Sequence, residues 1–437
     1  AFDINAGYST ADLYARPSAR EKKFKKAHVG FEGKDFMGMA NPDAMAHALE
    51  TGKPYPIRIF WGQSCNQISG HEEPAPRAYK YLKQVPFIVY ADPFLTPSAV
   101  AFADLVLPVA MSCERDSART WWTPLRAMKK VTSYYEAKSD EEIILWLGKR
   151  LNPELFQKWD TPEDIINEFL KTGFSIVDES GKVQRASRQS SATAIEGTIY
   201  TKCPVDHKEL VEIGGCLFDE WNGVYYKHEK GMLRPDGLPG FNTPTGMIEL
   251  VPSTFVEWGI PPYPVYTPVS QSRDTTPEVF EEYPFYFING TRSYEYFHTE
   301  HRQSPTMREF HPEPIVMVSP ETAEEYDLRN GDWIWIENQD GRCKQMVKIF
   351  PGMDKRFIVA EHGWWKPEEE IAEPHLCGAF DYNPNNLTHA YESGPGNIGA
   401  PIKCLICKIY KCKEGDTSPG EQVTRLGGFR DYEPGKM

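Results

Sequence analysis

Three short apolar runs set the strongest limit on how this chain folds: residues 57–61 (IRIFW), 87–91 (FIVYA) and 105–110 (LVLPVA). Helix-like stretches at 76–84 and 97–103 separate them. Apolar runs this short, without polar alternation, suit strands covered on both faces, and their alternation with helices predicts a parallel sheet. Ligands of such sheets bind off the carboxyl ends of the strands. The first run passes into the turn Gly62-Gln63-Ser64-Cys65-Asn66 and the second ends at Asp92. Asn66 and Asp92 are therefore placed where a ligand would sit.

Further along, Ser139 with Glu142 three residues later predicts a capped helix whose apolar face is Ile143, Ile144, Leu147 and Leu151. Thr161-Pro162 opens a second helix that Gly173 can end. Residues 174–282, rich in Gly, Pro and Ser, read as a long packed connection. From residue 283 the pattern turns to strands at 285–289, 314–318, 333–337, 343–349, 357–361 and 404–410, with Ser319-Pro320 opening a short helix. Asn330-Gly331 and Asp340-Gly341 mark turns, and the whole predicts a small closed β-barrel. The resulting division is 1–136 (α/β), 137–282 (helical and extended connection), 283–412 (barrel) and 413–437 (tail).

The chain has 437 residues, 40% hydrophobic and 25% charged, a balance that supports sizeable cores. A formal charge of −14 argues against a general nucleic-acid binder, which needs a basic face. No apolar run approaches the ~18–20 residues that span a bilayer. Nine cysteines, an odd number in a large chain, argue against a disulfide framework. Cys404-x-x-Cys407 with Cys412 falls in an expected strand and lacks the further ligands of a zinc or iron–sulfur site, so these read as core thiols. Cys65 and Cys113 likewise read as structural. The opening residues AFDINAGYST have no initiator Met and no signal-peptide order, which predicts a start inside something longer.

The stretches IRIFWGQSCN, FIVYADPFLTPSAVAFADLVLP and CERDS, then EAKSDEEI and GFNTPTGMIEL, occur in that order. YPFYFINGTRSYEYFHTEHRQ, DLRNGDWIWIENQDGR and NPNNLT follow them. Together they resemble the C-terminal half of the dimethyl sulfoxide reductase family of molybdopterin oxidoreductases. Residues 55–150 are most similar to thiosulfate and polysulfide reductases and to the catechol dehydroxylase and acetylene hydratase branch. The resemblance implies a Rossmann-like α/β domain followed by a double-psi β-barrel. It implies a bis-molybdopterin guanine dinucleotide carrying molybdenum or tungsten, with a [4Fe–4S] cluster only in the N-terminal half that has no counterpart here.

It also implies an oxidoreductase active as part of a longer parent, and inactive as this fragment. The partners would be the missing half, an iron–sulfur electron-transfer subunit and a small-molecule substrate, either a sulfur oxyanion or polysulfide or an aromatic to be dehydroxylated. The location would be cytoplasmic, exported or membrane-associated through partner subunits. The cofactor-binding residues implied are Gly62, Ser64, Asn66, Asp92, Thr96 and Asp116. From the barrel come Gly290, Thr291, Arg292, His298, Thr299, His301, Arg302, Asn385, Asn386 and Lys403. No metal ligand and no catalytic residue is assigned.

The chemistry of those positions agrees. A carboxylate such as Asp92 can accept paired hydrogen bonds from guanine, although Asp is also an ordinary turn or cap residue. The Gly62–Asn66 turn lets backbone N–H groups approach a pyrophosphate, and Thr96 can cap a helix whose positive end favours phosphate. Arginine forks suit phosphate, and histidine can donate to a pterin carbonyl. Asn385, Asn386 and Thr388 can read a heterocycle edge, against the plainer reading of turn chemistry. Trp121-Trp122 could line an aromatic funnel or pack at a domain seam. A non-catalytic barrel that only binds a ligand is the competing reading, and it leaves Asp92 and its sheet unexplained. A nicotinamide dehydrogenase would need Gly-x-Gly-x-x-Gly after the first strand, which residues 62–66 do not supply.

Overall fold

The computed structural model describes residues 28–31, 34–40, 42–53, 55–70, 74–119, 125–172, 176–177, 183–184, 205–217, 225–231, 234, 236–259, 261–266, 268–388, 403, 405–413 and 416. Trp121-Trp122, Gly173 and Cys404 lie outside the described residues. The chain divides into two compact units. One comprises residues 42–107, 266–394 and 398–437, and the other 1–41, 108–265 and 395–397.

The first unit opens with the three expected strands. β1 (Ile59–Gln63) pairs in parallel with β2 (Phe87–Asp92), from Ile59 opposite Phe87 to Gln63 opposite Ala91. β3 (Leu105–Pro108) completes the order β1-β2-β3. It stops short of residue 110 at Pro108, which has no N–H to extend a ladder. The helices Ala75–Leu82 and Pro97–Phe102 bury Tyr79, Tyr81, Leu82 and Phe102 against Ile68, Ile88 and Tyr90. Trp365, Leu376 and Phe380, from far along the chain, join the same core.

The later part of this unit is a closed six-stranded barrel. Its strands are β4 (Phe285–Thr291), β5 (Ile315–Val318), β6 (Trp333–Glu337), β7 (Arg342–Ile349), β8 (Phe357–Glu361) and β9 (Leu405–Lys411). Around the barrel the order is β4-β8-β5-β7-β6-β9. Pairs β4/β8 and β5/β7 run parallel and the other four antiparallel. Inward alternation fills it with Phe287, Val316, Ile334, Ile336, Val347, Ile358 and Ile409, all buried. Cys343 and Cys407 are buried there too, and burial pushes both thiols well up, as core thiols require.

In the other unit, Asp140–Leu151 carries the expected capping box between Ser139 and Glu142. Its buried face differs from the expected one. Ile144 and Leu151 are 43% and 75% exposed, while Leu145 is buried with Trp159 and Ile165, and Gly148 is buried against Phe156. A Cβ on Gly148 would stand 2.4 Å from the Phe156 ring, so the helix turns its smallest residue toward its neighbour. Thr161 caps Pro162–Thr172 as expected, its oxygen accepting from the Asp164 N–H. Ile166 and Leu170 of that helix pack on Leu210. No helix among the described residues is long and apolar enough to cross a membrane.

Candidate functional site

The turn after β1 is shaped by packing. Gly62 is buried, and a Cβ there would lie 2.8 Å from the Tyr90 ring and 3.0 Å from Cys65 Sγ. The glycine therefore makes room for Tyr90, which donates to Gln67 Oε1, rather than only for a ligand. Ser64 takes a φ of 47°, and its N–H is used by the Ala91 carbonyl at 2.9 Å, which ties the turn to the end of β2. Burial pushes the Cys65 thiol up to about 11, with the charge of Asp92 adding to it, so it is protonated at neutral pH. Gly62→Ala is expected to destabilise the protein by about 1–3 kcal/mol through overpacking against an immobile ring. A denaturation midpoint equal to that of the parent would contradict this.

Asp92 is buried at the end of β2 and one of its oxygens accepts from the Phe94 N–H at 2.9 Å. The carboxylate thus does turn work as well as facing the strand end. Thr96 caps Pro97–Phe102 through a 3.2 Å bond from the Ala99 N–H. Asn66 Oδ1 accepts from Ser98 Oγ at 2.6 Å, while its Nδ2 is buried without a partner among the described residues.

Immediately after Asn66, the short helix Gln67–Gly70 meets the barrel through asparagines. Asn383 Nδ2 donates to the Ile68 and Ser69 carbonyls at 3.0 and 3.3 Å. Asn385 Nδ2 reaches the Ser69 carbonyl at 3.4 Å, and Asn385 Oδ1 accepts from Asn289 Nδ2 at 2.8 Å. The Thr299 methyl carbon sits 3.1 Å from where a Cβ of Gly70 would stand. Asn66, Asn289, Thr299 and Asn385 are therefore on segments that touch. Asn386 points elsewhere: its amide is buried on the Phe380 and Arg342 carbonyls. Thr388 donates back to the Asn385 carbonyl, closing the turn. Asn289, Asn383, Ser69 and Ser98 escaped the sequence reading as individual site residues. The NPNNLT motif contained Asn383, and Asn289 closes an expected strand.

Near the end of β4, Gly290 has a φ of 137°, a conformation suited to glycine, and Lys403 Cε would lie 3.4 Å from a Cβ there. Arg292 is exposed, 4.9 Å over the Phe297 ring. Arg302, expected to serve phosphate, is instead only 2% exposed. Its guanidinium donates to the His298 and His362 carbonyls and stands 4.6 Å from the Tyr296 and Trp364 ring centres. Burial pulls its pKa down to about 9. This arginine holds the loop, leaving Arg292 and Lys403 as the exposed cations nearby.

His298 and His301 are exposed with φ of 53° and 73°, an uncommon region for residues with a side chain. Thr299 accepts from Trp365 Nε1 through its carbonyl at 3.1 Å. Asp116 belongs to the other unit, where it accepts from the Lys130 N–H at 2.8 Å and pairs with Lys129 at 3.2 Å. Among the described residues no group of three or more His, Cys, Asp or Glu side chains is arranged to hold a metal.

Asn66 Nδ2, Ser69 Oγ and Asn289 Oδ1 are buried polar atoms without hydrogen-bond partners among the described residues. An orphaned buried polar atom costs about 1–3 kcal/mol, so three on touching segments call for a ligand with both donors and acceptors. A fused heterocycle such as a pterin supplies both, and the exposed Arg292 and Lys403 suit its phosphates. The residues present therefore fit a pterin dinucleotide.

Residues 285–403 match the family described as the molydopterin dinucleotide binding domain. The chain is 29% identical over 411 residues to dopamine dehydroxylase of Eggerthella lenta, covering 83% of this chain and 39% of that protein. It is 29% identical over 385 residues to acetylene hydratase of Syntrophotalea acetylenica, covering 86% and 47%. Against the molybdopterin-containing subunit of thiosulfate reductase from Salmonella typhimurium it is 26% identical, covering 80% and 43%. The solved structure of acetylene hydratase from Pelobacter acetylenicus superposes with a TM-score of 0.69 at 26% identity, over 86% of this chain and 47% of that one. The chain spans less than half the length of each of these relatives.

Proposed function

We propose that this chain, whose homologues are molybdopterin-dependent oxidoreductases of the dimethyl sulfoxide reductase family, closes around a bis-molybdopterin guanine dinucleotide carrying molybdenum or tungsten. The α/β segment is Rossmann-like and the barrel is of the double-psi type in this reading. Asp92 takes guanine, the Asn66 turn and Thr299 face the pterins, and Arg292 with Lys403 meets phosphate. The observation that carries it is the buried asparagine contact between residues 66–70 and the barrel, with its three orphaned polar atoms.

The cofactor supplies the redox or hydration chemistry when bound. This chain's residues position it and keep water from its ring edges. The remaining parts of the enzyme, including the metal ligand and a [4Fe–4S] cluster, come from sequence corresponding to the unmatched length of the relatives. Ile59 and Phe87, adjacent across β1 and β2, and Leu105 at the start of β3 are 65%, 42% and 44% exposed. Apolar side chains left open on a parallel sheet support a protein partner. Electrons would pass through an iron–sulfur subunit, and the substrate is a small molecule, either a sulfur oxyanion or polysulfide or an aromatic that loses a hydroxyl.

Asp92→Ala in the full-length enzyme is expected to lower retained cofactor, read as metal and GMP released per chain on denaturation. Release equal to that of the parent enzyme removes Asp92 from the site. A preparation of the parent enzyme with no metal at all would favour a barrel that binds a ligand without catalysis.

A further inference from the structure

His362 follows β8, the parallel neighbour of β4, and the pairing brings it to the loop that holds His298. His362 Nδ1 lies 3.2 Å from the Thr291 carbonyl oxygen, and His362 Nε2 lies 2.9 Å from His298 Nδ1. A carbonyl oxygen can only accept, so the hydrogen on His362 sits on Nδ1. In a neutral imidazole the other nitrogen is then bare and must accept. His298 therefore donates from its Nδ1, and its own Nε2 is left as a bare lone pair. No described protein group hydrogen-bonds to that Nε2.

The neutral state of both rings has a physical cause. Loss of contact with water, only partial at the exposed His298, holds each below the usual histidine range. Arg292 and Arg302 push His298 further down while Glu300 opposes them. At His362 the Thr291 carbonyl opposes burial, and His298, Arg302 and Arg292 add to it.

The pair sits in a built frame. Arg302 donates to the backbone carbonyls of both histidines. Gly363 has a φ of 70°, and a Cβ there would stand 3.0 Å from the His298 carbonyl oxygen, so the two backbones touch. Trp364 Nε1 is fixed on Glu361 at 3.0 Å, which locks the residue that sandwiches Arg302. A flip of either ring would break the His298–His362 hydrogen bond, and a flip of His362 also the one to Thr291.

We infer that His362 is a positioning residue that fixes His298 as a hydrogen-bond acceptor at Nε2, so the group recognised there is an N–H or O–H donor. This reverses the polarity expected from the sequence, where histidine would donate to a carbonyl. A carbonyl or phosphate oxygen would face a lone pair and be rejected, whereas a ring amine of a pterin fits. The inference rests on the proposed cofactor role only for the source of that donor.

The test uses the full chain labelled with nitrogen-15 histidine and long-range proton–nitrogen NMR near neutral pH. Both His298 and His362 are expected in the Nδ1–H form, with the two Nε2 signals those of unprotonated nitrogens. His362→Phe is expected to move the hydrogen of His298 to Nε2 in most molecules. His362→Gln is expected to restore the parent pattern, because its amide can accept from His298 and donate to Thr291. An Nε2–H form of His298 in the parent chain, which needs no variant to fold, overturns the inference. So does a His298 spectrum that His362→Phe leaves unchanged. Either result leaves the Asp92 test of cofactor retention standing, and failure of that test leaves the ring pattern standing.

Discussion

Arg302→Ala is expected to lower the free energy of unfolding by about 4 kcal/mol, since each charge-assisted hydrogen bond contributes about 1.5–3 kcal/mol and the cation also stacks on two rings. The bonds are those to the His298 and His362 carbonyls, and the rings are Tyr296 and Trp364. The net stays below the simple sum because burying the guanidinium itself costs, as its lowered pKa records. Alanine leaves both carbonyls and the space between the rings empty of partners. Arg302→Lys keeps the charge but loses the planar fork, so it is expected to fall between the two. Equilibrium denaturation of the three proteins checks this, and equal midpoints for alanine and the parent would show that the loop does not depend on the clamp.

Asp381→Asn is expected to act in the opposite direction and only above mildly acidic pH. Asp381 is 4% exposed, and its pKa rises from 3.8 to about 6, burial being the main cause. Glu369 adds to the rise, while Lys344, Arg342 and His375 oppose it. The folded chain therefore keeps this proton where the unfolded chain has released it. Stability is full below the unfolded value and falls as pH rises from about 4 to about 6. The shift corresponds to about 3 kcal/mol at 1.36 kcal/mol per pKa unit. Asparagine carries no charge to bury, so the variant is expected to exceed the parent by about that amount above pH ~7 and to match it below pH ~4. Unfolding free energies measured across that range decide it. A difference independent of pH would mean that the carboxyl finds compensation in its neighbours.

Much of the fold was legible because its signals are local. The three apolar runs of the sheet, the caps at Thr96, Ser139 and Ser319, and the hairpin of β6 and β7 each depend on a few adjacent residues. The buried face of Asp140–Leu151 was not legible, because the choice between Ile144 and Leu145 is made by Phe156 and Trp159 beyond the helix end. Nor could the sequence separate Arg292 from Arg302. Both follow the same strand, and only the aromatic pair Tyr296 and Trp364 decides which is enclosed. His362 stood at the end of an expected strand, but its meaning depends on β8 lying beside β4. Parallel pairing between strands so far apart leaves no mark in either one alone.

The amides of Asn383 and Asn385 reach back across more than three hundred residues to the carbonyls of Ile68 and Ser69. A chain made from its N-terminus exposes those two oxygens long before their donors exist. Contacts between such distant segments form slowly, since a long loop must close first. Those carbonyls therefore wait for their donors, and the seam that carries the orphaned polar atoms is among the last parts of this unit to set.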